Sequence, residues 1–137
     1  MISDSCQNLA LQLNCAIVPH FMGPSDYAVF TVKDGKNTVF YNKTLSAEEV
    51  NIVVAKALIH FQYNRAKREF YINKYTTLRQ KEIADVYELL IPEKTVKYLL
   101  SQLIAPKSVF ITKYFGVTEE FLKKRLDFLD FTGNLEY

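Results

Sequence analysis

Glycine is scarce in this chain, four residues in 137. With so few residues that enter left-handed backbone at no steric cost, a fold built on elaborate loops is excluded. Cysteine is scarcer still. Cys6 and Cys15 stand nine positions apart without C-x-x-C spacing, so both read as reduced, buried thiols, with a disulfide or redox switch as the alternative. No apolar run approaches the roughly 18–20 residues that a membrane span needs. The start, Met1-Ile2-Ser3-Asp4-Ser5, lacks the basic opening and apolar core of a signal peptide, and a cytoplasmic location is expected. Charge of one sign is also missing: a net +2 is too small to imply nucleic-acid binding from bulk electrostatics. Neither a Gly-rich phosphate loop nor a Gly-x-Ser-x-Gly elbow occurs, and Lys33-Asp34-Gly35-Lys36 is a turn rather than a P-loop.

What is present suits an ordinary globular protein. Hydrophobic residues at 49% and charged residues at 23% exclude a disordered chain, and this length suits one domain with a real core. Ten phenylalanines and nine tyrosines beside so little glycine point to a helix-rich chain.

Leu9, Ala10 and Leu13 predict a first helix over 6–14. The run Cys15 to Phe21 carries a proline and reads as an edge strand. Two β-branched and aromatic runs, 27–32 and 37–41, flank Asp34-Gly35 and predict a hairpin. Ser46 followed by Glu49 is a capping box, with Leu45 and Val50 placed as a hydrophobic staple. A long helix follows, its stripe formed by Val50, Val53, Val54, Ala57, Leu58 and Phe61 and running on toward Lys67. Residues 69–77 are aromatic and ambiguous. Tyr63, Phe70, Tyr71 and Tyr75 are read as core, with a partner surface as the alternative. Further helices are expected over 78–90, stopped by Pro92, over 95–104, before Pro106, and over 108–115 and 119–130, the last with Thr118 as N-cap. Helix, three strands, then helices argues one α+β domain over 1–137, with a small three-stranded antiparallel-type sheet in about 15–41 and a helical bundle in about 46–130.

Within the long helix lies Ala55-Lys56-Ala57-Leu58-Ile59-His60. A zinc peptidase of similar layout carries His-Glu-x-x-His there, two histidines on one helix face and a glutamate that activates water. Together with the strand ending TVFYNKTLS, the block Glu82 to Pro92 (EIADVYELLIP), and Ile111 to Thr118 (ITKYFGVT) with Arg125-Leu126 downstream, the chain resembles the ImmA/IrrE family of metallopeptidases over roughly residues 5–130. The resemblance implies a zincin-like single domain. It places Lys56 at the first zinc histidine, Ala57 at the general base, His60 at the second histidine, and Glu82, with Asp85 and Glu88 as alternatives, at the acidic ligand. A lysine is cationic at neutral pH and repels Zn²⁺, and alanine cannot take a proton from water. Lys56, Ala57, His60 and Glu82 are therefore expected to be vestigial positions, with no catalytic residue, no metal ligands and no cofactor. A Lys56–Glu82 salt bridge is suggested in place of the metal. His20 fits no ligand spacing and reads as a surface histidine, and nothing local supports Cys15 with His20 or His60 as a nucleophilic couple.

By resemblance, the function expected is that of a non-catalytic regulatory protein of a phage or mobile element. It would bind a protein partner, a helix-turn-helix transcriptional repressor, and relieve repression. Two alternatives stand beside it. One is an active zinc metallopeptidase with an unusual ligand set. The other is a DNA-binding module using the C-terminal helices, where Lys123-Lys124-Arg125 could touch phosphates but Glu119, Glu120, Asp127 and Asp130 leave no clean basic face. A scaffold role and the oligomeric state stay open.

Overall fold

A computed structural model describes residues 2–73, 76–102 and 107–129. The expected helix ends at Ile104 and Asp130, Pro106 and the aromatic Tyr75 lie outside the described residues. The elements run α1 (Asp4–Gln12), β1 (Cys15–His20), β2 (Asp26–Lys33), β3 (Lys36–Asn42), α2 (Ala47–Tyr63), β4 (Glu69–Asn73), α3 (Gln80–Leu90), α4 (Glu93–Gln102), α5 (Lys107–Phe115) and α6 (Glu119–Phe128).

The α+β class holds, but the sheet needs correction. It has four strands in the order β1-β3-β2-β4 and is mixed. β1 pairs with β3 in parallel, Ile17 opposite Val39, while β2 pairs antiparallel with both β3 and β4. The fourth strand is the ambiguous stretch after the long helix. It is five residues long, with Phe70 and Ile72 buried and Glu69 and Tyr71 exposed, the period of two that a half-buried strand shows. Of the described aromatics read as core there, Phe70 is buried, while Tyr63 and Tyr71 lie 38% and 58% exposed. The hairpin forms as its sequence predicts. Asp34 (φ 53°) and Gly35 (φ 74°) both take the left-handed backbone that a two-residue type I′ turn requires, and Lys33 opposes Lys36.

α2 is the spine of the molecule. Its Ser46 N-cap accepts from the Glu49 backbone while Glu49 accepts from the Ser46 backbone, so the capping box is present. Val50 to Ala55, Ala57 to Ile59 and Phe61 are all buried, because the helix lies against β2 and β3 and is flanked by α1 and α3. A helix apolar on most of its surface belongs in a core, and the one polar residue in the buried run, Asn51, is hydrogen-bonded. Only Lys56 and His60 interrupt this run as half-buried polar side chains. Phe30 of β2 stacks between Phe61 and Phe70, with ring centroids at 4.3 and 4.8 Å, and thereby fixes the sheet to the C-terminal half of α2.

The family-like C-terminal block also has a structural role. Arg125 is 2% exposed. Its Nε donates to the carbonyl of Ile91 at 3.1 Å, where α3 ends, and a terminal nitrogen meets Glu88 at 3.1 Å.

Candidate functional site

The site gathers where the last turn of α2 meets α3. His60 and Glu82 sit on neighbouring helices, and their side chains converge: His60 Nδ1 lies 2.5 Å from Glu82 Oε1. The second carboxylate oxygen accepts from Arg79 Nε at 2.8 Å. Lys67 Nζ reaches His60 Nε2 at 3.1 Å. An ammonium can only donate, so Nε2 is an acceptor and the ring proton sits on Nδ1, donated to Glu82. Asn64 Nδ2 caps the helix end by donating to the His60 carbonyl at 2.7 Å, and the Phe70 ring meets the imidazole edge-on at 4.6 Å.

Glu82 is fully buried. Burial alone would push its carboxyl up, but hydrogen bonds from Arg79 and His60, with the guanidinium charge adding, hold it below the usual carboxylate range. Both oxygens and both imidazole nitrogens are thus in use. Among the described residues, no buried side-chain nitrogen or oxygen lacks a partner.

The other positions fall elsewhere. Ala57 is buried, 0% exposed, in the core. Lys56 does not bridge to Glu82, whose salt-bridge partners are His60 and Arg79; the suggested Lys56–Glu82 pair is replaced by Arg79–Glu82. Lys56 instead faces a pocket between α2, α3 and α6. Burial, and after it the charge of Lys124, pull its ammonium below the usual lysine range, with Glu120 opposing. Of the two alternative acids, Asp85 accepts from the Tyr63 hydroxyl at 2.5 Å and Glu88 meets Arg125. Neither is held by His60.

His20 is an exposed residue at the end of β1, its ring edge-on to Phe40. Cys15 donates to the carbonyl of Ala16, and burial pushes its thiol up to about 11, the opposite of an activated nucleophile. The basic triplet on α6 is split as well: Arg125 points into the core, and Lys124 pairs with Glu120 at 3.2 Å.

Arg79, Lys67 and Asn64 were not anticipated. Arg79 precedes α3 and lies three residues before Glu82, an i,i+3 spacing that favours such a pair. Lys67 and Asn64 belong to the turn after α2, where nothing local marks them.

Among the described residues, no three His, Cys, Asp or Glu side chains are grouped so that they could hold a metal ion, and no helix is long and apolar enough to cross a membrane. No curated protein matches the chain. The family model for the IrrE N-terminal-like domain, of the peptidase M78 type, matches residues 10–127, and the chain therefore belongs to that family.

Proposed function

We propose that this chain is a non-catalytic, pseudopeptidase member of its family. In this reading it is a cytoplasmic regulatory protein of a phage or other mobile element. It binds a helix-turn-helix transcriptional repressor through the former substrate cleft and so relieves repression. The observation that carries the reading is the closed hydrogen-bond set of Glu82, whose carboxylate is consumed by His60 and Arg79.

The residues present do not fit a resident zinc ion. A catalytic zinc takes three protein ligands plus water. Here Lys56 offers a cation and Ala57 no carboxylate, and a guanidinium stands against the one well-placed acid. No step through a metal is derived. A groove keeps affinity without those groups because partner recognition and water activation rest on different atoms.

The test is a pull-down from the native host's lysate, read by mass spectrometry, alongside metal analysis of the purified protein. A repressor recovered intact with a metal-free protein is the expected result. Stoichiometric zinc together with cleavage of the recovered partner would overturn the reading in favour of an active peptidase with an unusual ligand set.

A further inference from the structure

Lys56 opens onto a space that the His60–Glu82 network does not use. The pocket between α2, α3 and α6 has a volume of about 470 Å³, and Ile52, Ile83, Tyr87 and Phe121 are among its apolar walls. That size falls within the range of small-molecule sites. Four charged side chains line it: Glu49, Lys56, Glu120 and Lys124. Three are engaged. Glu49 accepts from the backbone of Ser46 in the capping box, and Glu120 pairs with Lys124.

Lys56 has no hydrogen bond or ion pair among the described residues. Its ammonium is not sealed in, since no buried side-chain nitrogen lacks a partner; it is half-buried and reaches solvent through the pocket. A half-buried ammonium with no direct ion pair is unfavourable even with the Glu120 charge nearby, and a carboxylate bound directly to it would relieve it. With Lys124 already paired to Glu120 and Glu49 close by, the one lysine left to a ligand suits a monoanion and disfavours a dianion such as a phosphate monoester.

We propose that this pocket binds a small organic acid, its one carboxylate on Lys56 and its apolar body against Ile52, Ile83, Tyr87 and Phe121. The pocket shares no lining residue with the His60–Glu82 network, although Lys56 is one helical turn from His60, and the proposal does not depend on a partner protein docking there.

The probes are 3-phenylpropionate and its neutral isostere 3-phenylpropionamide, titrated into the full chain and followed by NMR of the isoleucine methyl groups. The acid should shift the Ile52 and Ile83 methyls saturably, with a dissociation constant on the order of millimolar for a ligand of this size. Lys56→Met should weaken it by about tenfold or more, as the loss of a charge-assisted bond predicts, while Lys56→Arg keeps it. Equal binding of acid and amide, an affinity unchanged in Lys56→Met, or no shift of either methyl would each overturn the proposal. Should Lys56→Met fail to fold, the acid–amide comparison on the unaltered protein decides by itself.

Discussion

The side-chain nitrogen of Asn51 lies 2.9 Å from the carbonyl oxygen of Gly116. Its side-chain oxygen accepts from the Ser3 backbone at 2.8 Å, so one buried amide joins the start of α1, the first half of α2 and the turn between α5 and α6. Gly116 has φ +66°, and a Cβ there would come within 2.9 Å of that same Asn51 nitrogen. Asn51→Leu strands a carbonyl and an N–H, and should cost about 2–4 kcal/mol in urea unfolding. Gly116→Ala should cost about 1–3 kcal/mol through strain and crowding. The two losses should not add, because they act on one contact. Additivity within error would show that the glycine serves only its own backbone.

Glu82 gives the protein a dependence on acid. Its folded pKa is depressed below the ordinary 4.5, so the unfolded state binds the proton more readily. The stabilisation is complete above about pH 4.5 and is lost as pH falls through the folded pKa. Glu82→Gln should be less stable than the parent at pH 7 by about 1–3 kcal/mol, and the gap should narrow on acidification. Chemical unfolding at pH 7 and below pH 4 measures it, and a gap that widens in acid would refute the assignment.

Arg125 should resist its nominally conservative replacement. Its guanidinium serves the Ile91 carbonyl and Glu88 together while lying near the rings of Tyr87 and Phe128, a task a lysine point charge cannot match. Because Glu88 is 57% exposed, the ion pair contributes little, and most of the effect comes from the carbonyl left without a donor. Arg125→Lys should lower stability by about 1–3 kcal/mol, whereas Glu88→Gln should change it by less than about 1 kcal/mol. Thermal melts of both variants distinguish these contributions.

Both thiols should react slowly in the native protein. Burial pushes Cys6 and Cys15 each up to about 11, leaving little thiolate at neutral pH. Iodoacetamide at pH 7.5 should label both promptly in urea and neither on the same timescale when folded. Fast native labelling of Cys15 would reopen its candidacy as a nucleophile.

Signals carried by neighbouring residues were legible in the sequence. Ser46 and Glu49 announced α2, Asp34-Gly35 announced the hairpin, and the spacing of apolar residues placed the helices. Relations that close over distance were not. β4 is short and contains an outward-facing tyrosine, so its period spans too few residues to separate strand from helix. The parallel pairing of β1 with β3 leaves no local mark at all. His60 and Glu82 were placed by resemblance, and their convergence follows from how α2 and α3 pack. Arg79 was hidden because an arginine ahead of a helix lacks a capping signature, and Lys56 looked nearer to Glu82 than helix packing allows.

The parallel register of β1 on β3 also sets an order of events during synthesis. The first strand leaves the ribosome before its partner exists, and hairpin β2–β3 can close on itself in microseconds once made. Cys15 to His20 must therefore wait and then dock onto a preformed edge. Until they do, β3 presents an unpaired row of backbone groups to any neighbouring chain, as β2 does on the far side until β4 is made, so co-translational aggregation should respond to changes in either edge strand.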